Sequence, residues 1–232
     1  MTHFETELNT LKSTAISMWL LVISQLEKAQ QTIKSLDKQM VREIMMNEKR
    51  VDAFELKLDM DCENILALFS PVAVDLRFVL TCLKINYNLE RIGDYARTIA
   101  GLTDEFSKTF DKKFLKEIKV NEMFSLSHSM LNDTLQAFEN ENASLVRPVY
   151  QMDDELDELT SNAESKISEW IMKNPEYARD GLKLHSLIRR LERVGDQAKN
   201  IAGEIVFHLE AKILRHTKRK KILEELDRES EK

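Results

Sequence analysis

Apolar residues recur every three or four positions along almost the whole chain, the spacing of one buried stripe on an α-helix. Leu8, Leu11, Ala15, Met18, Val22, Leu26, Ala29 and Ile33 form the first stripe and predict a helix over about 4–33. Asp37 is placed to cap a second helix over about 38–69, which buries Val41, Ile44, Val51, Phe54, Leu58, Cys62, Ile65 and Phe69. Pro71 ends that helix, because the residue before proline is pushed out of the helical region. Further stripes predict helices over about 72–102, 118–138, 143–172 and 176–214, with Pro148 in the first turns of the fifth, where proline is tolerated. No run of alternating β-branched residues competes with these patterns. The class expected is all-α, with helices roughly 45 Å long at 1.5 Å per residue.

The pattern also repeats. Leu89-Glu-Arg-Ile-Gly-Asp-Tyr-Ala-Arg-Thr-Ile-Ala-Gly101 returns as Leu191-Glu-Arg-Val-Gly-Asp-Gln-Ala-Lys-Asn-Ile-Ala-Gly203, nine of thirteen positions identical at an offset of 102. The six helices therefore divide into two tandem three-helix bundles. Their expected bounds are 1–103 and 118–217, with a polar linker over 104–117 and a helical extension over 218–232 that has no partner in the first half.

Composition agrees: 43% hydrophobic and 32% charged, with five glycines and three prolines in 232 residues, is helix-rich and soluble. A net charge of −6 gives no electrostatic case for nucleic-acid binding. The most apolar window, 15–26, is too short and polar to span a bilayer, and the acidic start lacks the basic region of a signal peptide. Cys62 and Cys82 are the only cysteines and lie on separate helices, which suggests a reducing, cytoplasmic setting.

The candidate chemistry is carboxylate. Each signature carries an acidic pair four apart, Glu90 with Asp94 and Glu192 with Asp196. The preceding helix of each half carries another, Glu48 with Asp52 and Asp153 with Asp157. Glu55 and Asp59 extend the first series, whereas Thr160 and Glu164 stand at the matching places in the second. At 100° per residue, Ile85, Leu89, Ile92, Ala96 and Ile99 share about 80° of arc, which sets both signature pairs roughly opposite their apolar stripes, facing outward. Such acids can simply be a solvated face, helped by Arg97 and Lys199 three residues beyond each aspartate. Converging from neighbouring helices, they would instead give oxygen-only sets of four, suited to hard cations such as Mg²⁺, Mn²⁺, Ca²⁺ or Fe³⁺.

The glycines carry a separate signal, since Gly93 pairs with Gly195 and Gly101 with Gly203. Inside a helix glycine costs about 1 kcal/mol, so Gly93 and Gly195 call for a tight helix crossing or a close ligand. Gly101 is expected near a helix end, as a cheap left-handed cap. Trp19 and Trp170 read as core or interface residues. No GxxxxGK[ST], GxGxxG or HExxH motif occurs, and no histidine follows a glutamate at three residues, which disfavours a ferritin-like di-iron site.

Tandem LERxGDxAxxIA segments behind acidic helices, with Pro71-Val-Ala-Val-Asp-Leu-Arg77 and the ending Leu214-Arg-His-Thr217, resemble the PhoU family of phosphate-transport regulators. The resemblance covers about 3–217 and implies E(D)xxxD motifs that hold multinuclear metal clusters. Carried over, Glu48, Asp52, Glu90 and Asp94 would form one metal site, and Asp153, Asp157, Glu192 and Asp196 the other. Iron, manganese, magnesium or zinc would fill them. It also implies a non-enzymatic homodimer, cytoplasmic or peripheral to the inner membrane face. Its partners would be the ATPase component of a phosphate ABC transporter and a sensor histidine kinase, and its role repression of phosphate uptake and starvation signalling. The chain departs from the pattern at Pro175-Glu-Tyr-Ala-Arg-Asp180, where the proline motif is degenerate, and at Thr160. The other readings are a structural helical adaptor or dimerisation scaffold without metal, and a carboxylate-bridged metalloenzyme.

Overall fold

A computed structural model of the chain describes residues 2–213, so the extension expected at 218–232 lies outside the described residues. In chain order the helices are α1 (His3–Ser35), α2 (Lys38–Phe69), α3 (Ala73–Asp104), the short α4 (Lys112–Glu117), α5 (Val120–Glu139), α6 (Arg147–Lys173) and α7 (Ala178–Glu210). Two 3-10 turns, Ala143–Val146 and Pro175–Tyr177, lead into α6 and α7. There is no strand among the described residues.

Local chemistry sets the ends. Thr2 and Glu5 close a capping box on α1, the Glu5 amide donating to Thr2 Oγ1 at 3.2 Å and the Thr2 amide to Glu5 Oε2 at 2.8 Å. Asp37 accepts from the Gln39 and Met40 amides, as its position suggested. Ser70, barred from the helical region by Pro71, turns left-handed at φ 46° and stops α2. Gly101 is not a cap: α3 runs past it to Asp104, and its φ is not positive. It lies within the last turns of the helix, where an added Cβ would meet only the Met45 methyl at 3.4 Å.

The first bundle packs α1, α2 and α3 together, and the second packs α5, α6 and α7. The bundles join through α3 against α7, the most extensive helix pair in the molecule, and through α1 against α5. The α3–α7 pair is antiparallel: Arg77 Nε donates to the His208 carbonyl at 3.2 Å, Thr81 Oγ1 to the Glu204 carbonyl at 3.3 Å, and Lys84 pairs with Glu204 at 2.8 Å. Trp19 of α1, fully buried, lies 5.7 Å from the Phe138 ring of α5. Buried apolar side chains form one core through both halves. This arrangement covers α3 and α7 on three sides each, while among the described residues α2 and α6 each pack against two α-helices and sit at the outer edges.

Gly93 and Gly195 mark the tight crossings that their helical positions called for. A Cβ on Gly93 would stand 3.2 Å from Val51 Cγ1 of α2, and one on Gly195 would stand 2.6 Å from Leu156 Cδ2 of α6. The missing side chains let α2 and α6 approach the signature helices.

The connection over 104–117 is more than a polar linker. Phe106 and Phe110 are buried, and Phe110 and Phe114 lie 5.4 and 5.3 Å from the Trp170 ring at the end of α6. Ser107 donates its backbone N–H to Asp180 Oδ1 at 3.3 Å and its hydroxyl to Asp180 Oδ2. The segment is a strap fastened over the α6–α7 turn, Phe106 edge-on to Phe110, and Phe110 and Phe114 against Trp170.

Candidate functional site

The four acids expected in the first half come together along the seam between α2 and α3. Arg97 ties them: its Nη2 donates to Asp94 Oδ1 at 2.8 Å on its own helix, and its Nε lies 3.1 Å from Glu48 Oε1 across the seam. The second contact is ionic without hydrogen-bond alignment, since Arg97 Nε is buried and donates to nothing. Asp52 completes the set, its charge felt by both Glu48 and Glu90.

In the second half Lys199 does the tying. Its ammonium pairs with Asp153 of α6 and lies 3.4 Å from Asp196 of α7. Arg189 reaches Glu192 at 3.4 Å and Glu164 at 3.7 Å, and His185 lies 3.2 Å from Glu164. Asp157 acts electrostatically on both Asp153 and Glu192.

Burial of the acids is uneven: the Asp94 and Asp196 side chains keep 42% and 39% of their surface in water, and Asp157 is exposed. Asp153 is 5% exposed, and the Glu48 and Glu192 side chains keep only 18% and 16% of their surface in water. The outward reading from the helical wheel treated α3 and α7 as two-faced helices. With neighbours on three sides, their buried sector widens to take in Asn86, Asn88, Gly93 and Tyr95 on α3, so Glu90 and Glu192 are partly covered while Asp94 and Asp196 stay on the outer side where the wheel placed them.

Partial burial shifts their acidities. Burial, reinforced by Asp94 and Glu55, pushes the Glu90 carboxyl up to about 7. Glu55 rises through burial and the charges of Asp59, Asp52 and Asp94, with no cation opposing. Glu48 also rises by burial, against the pull of Arg97, and Asp153 does so against Lys199. Burial raises Glu192 as well, while Arg189 lowers it. Burial opposes the charge on Lys199, yet its bonds to Asp153 and Asp196 carry its pKa above the ordinary lysine value.

Two residues belong to the sites that pattern reading passed over. Asn86 donates Nδ2 to Asp59 Oδ1 and to the Glu55 carbonyl, both at 2.9 Å, joining the ridge above Glu90. Its signal was spacing, since 86, 90 and 94 continue one i,i+4 series. Arg189 stands three residues before Glu192, on the same face.

The donor chemistry fits a hard cation: the acids of each seam offer oxygen donors only, and two buried oxygens, Glu192 Oε2 and Asn86 Oδ1, accept no hydrogen bond. Arg97 and Lys199 bridge the carboxylates as they stand, and among the described residues no three His, Cys, Asp or Glu groups stand close enough to hold an ion together. No described helix is long and apolar enough to cross a membrane.

Two tandem three-helix bundles, each with a carboxylate-lined seam beside a glycine crossing, define a class of duplicated helical proteins. The PhoU domain model matches residues 16–103 and 120–205, and the chain belongs to the PhoU family. It is 30% identical to phosphate-specific transport system accessory protein PhoU homolog 1 of Thermotoga maritima, over 88% of each chain. It is 27% identical to the PhoU homolog of Pseudomonas aeruginosa, over 97% of this chain and 93% of the other. Among solved structures it resembles PhoU from Pseudomonas aeruginosa with a TM-score of 0.85 at 26% identity, over 90% of this chain and all of that one. The phosphate transport system regulatory protein PhoU from Streptococcus pneumoniae gives 0.82 at 28% identity, over 91% and 99%.

Proposed function

We propose that this chain is a regulatory accessory protein of a phosphate-specific transport system, acting as a metal-binding adaptor rather than an enzyme. In this reading it works at the cytoplasmic face of the membrane as a homodimer. It restrains phosphate uptake and phosphate-starvation signalling through contacts with a transporter ATPase subunit and a sensor histidine kinase. Relatives along nearly the whole chain carry the name of such accessory proteins, which supports the class of role.

The metal part is supported by the lining of one seam, in both halves, with two i,i+4 acidic pairs from adjacent helices, which a cation would draw closer together. Glu48, Asp52, Glu90 and Asp94 would hold one centre, and Asp153, Asp157, Glu192 and Asp196 the other. A bound hard cation would supply positive charge that cross-links α2 to α3 and α6 to α7. The chain's own groups orient the donors: Gly93 and Gly195 bring the helices close, while Arg97 and Lys199 hold the carboxylates until a cation displaces them.

Those same two cations favour a second reading, a helical adaptor whose carboxylates are neutralised internally and need no metal. Elemental analysis of protein purified without chelator, alongside an Asp94→Ala/Asp196→Ala variant, separates the two. Metal bound by the native chain and lost from the variant supports the first reading; none in either supports the second. Co-purification with transporter and kinase subunits tests the partner contacts in both cases.

A further inference from the structure

The two edge helices hold equivalent places, and their outer faces differ. α2 exposes Met46 (64%), Leu56 (69%), Met60 (57%) and Leu68 (75%), with Ala53 and Ala67 exposed among them. The offset of 105 that relates Glu48 to Asp153 places Gln151, Glu158, Ser161 and Ser165 of α6 where α2 has Met46, Ala53, Leu56 and Met60. All four α6 residues are exposed too. The same bundle geometry is thus built with an outer face that is polar over 151–165, Met172 being exposed near its end, in one copy and with an apolar face in the other. The apolar face of α2 is not needed to fold a bundle.

The exposed residues also have an order. Met46, Ala53, Met60 and Ala67 recur every seven positions, and Leu56 falls between them, an apolar seam on one side of the helix. Val51 and Leu58, on the opposite side, are buried in the bundle core. Charge along the helix is graded once internal pairs are set aside, Glu43 being paired with Lys28 and Lys57 with Asp61: Arg42, Lys49 and Arg50 are exposed toward the N-terminus, and Glu63 is exposed toward the C-terminus. A second α2 running antiparallel, with the dyad near Leu56, would bring Lys49 and Arg50 over Glu63 of the other copy, at both ends at once. A parallel copy would set like charges together. Self-complementarity of this kind is what a twofold interface requires.

We infer that the outer face of α2 is a self-association surface, where a second copy of this chain packs its own α2 antiparallel through Leu56 and Met60. The inference rests on the homodimer reading and adds the surface. The helix has 32 residues, about 48 Å at 1.5 Å per residue, long enough for a contact of the roughly 800 Å² per partner that stable dimers bury. Small alanines at Ala53 and Ala67 let the backbones approach, and the methionines fill the remaining gaps.

The test is sedimentation of the whole chain across a concentration series, with thermal unfolding followed by circular dichroism to check the fold. Leu56→Glu/Met60→Glu should weaken the dimer about 100-fold or more while the melting curve of the monomer stays in place. The matched change on the other edge, Ser161→Glu/Ser165→Glu, should leave it alone. Lys49→Glu/Arg50→Glu should weaken the dimer, and adding Glu63→Lys to that variant should restore it. A native chain that is dimeric but indifferent to Leu56→Glu/Met60→Glu overturns the surface and leaves the dimer. A native chain that stays monomeric overturns both, and an apolar face that then binds lipid vesicles, or only a partner protein, would identify its true occupant.

Discussion

The two carboxylate seams are built from one duplicated plan and balance their charge differently. In the second half Lys199 and Arg189 bridge the acids, and His185 joins them at Glu164. In the first half Arg97 is the bridging cation, while Glu55, Asp59 and Glu90 add to the acids it must serve. The consequence is visible at the matched glutamates. Glu90 rises to about 7 under burial and its acidic neighbours with a lesser downward pull from Arg91, whereas Arg189 ranks next after burial at Glu192 and holds its rise back. Duplication preserved the donors, and divergence moved the counter-charges, leaving the first seam with the greater surplus of negative charge.

That difference can be tested at several strengths. The largest effect is expected on cation uptake. In a calorimetric titration with Mn²⁺, Asp52→Asn/Asp94→Asn should remove the tighter class of sites, weakening it about 100-fold, while Asp157→Asn/Asp196→Asn should affect a weaker class, because affinity follows uncompensated ligand charge. The reverse order would show that surplus charge does not rank the seams.

Next comes stability. Lys199→Met strands the buried Asp153 and should cost about 2 kcal/mol in urea denaturation, less than a fully buried pair because a third of Lys199 stays in water. Arg97→Met should cost under about 1 kcal/mol, since both Arg97 and Asp94 are well exposed. Equal costs would erase the contrast between the two ties.

The glycine crossings should differ by less. Alanine gains about 1 kcal/mol of helix propensity at either place, but at Gly195 its Cβ meets Leu156 at 2.6 Å, and at Gly93 it meets Val51 at 3.2 Å. Gly195→Ala should therefore destabilise by about 1 kcal/mol through overpacking, and Gly93→Ala should be near neutral.

The smallest effect is in pH dependence. Glu90 holds its proton from the ordinary 4.5 up to about 7 in the folded chain, so over that window the folded state binds more protons than the unfolded one. Stability contributed by this group then falls as pH rises. The melting temperature of Glu90→Gln, relative to the native chain, should climb between pH 5 and pH 8. Glu192→Gln should show the same sign and a smaller change.

Much of this architecture was legible in the chain. The apolar period located the six long helices, Asp37 and Pro71 marked a boundary correctly, and the doubled signature led directly to the two bundles. Gly101 misled because a glycine near a predicted end need not be the end; α3 simply continues to Asp104. The acids were found, and their surroundings were not. A helical wheel describes a helix with one buried face, and it cannot show that α3 and α7 bury each other as well as their own bundles. Asn86 and Arg189 escaped for a related reason, since their roles depend on what stands opposite them. The strap was read as polar because charged residues outnumber its phenylalanines, and Phe106 and Phe110 lie in non-helical chain, where no periodicity tells which side they face.

That strap bears on how the molecule can be taken apart. A duplicated gene begins as two interchangeable modules, and here interchangeability has been lost. Removing residues 104–119 to isolate the second copy would uncover Trp170 and the turn beside Asp180, and removing the first copy would also bare the whole inner side of α7. The repeat is a unit of ancestry and no longer a unit of folding, so neither half can be expected to survive excision as an independent, well-behaved piece.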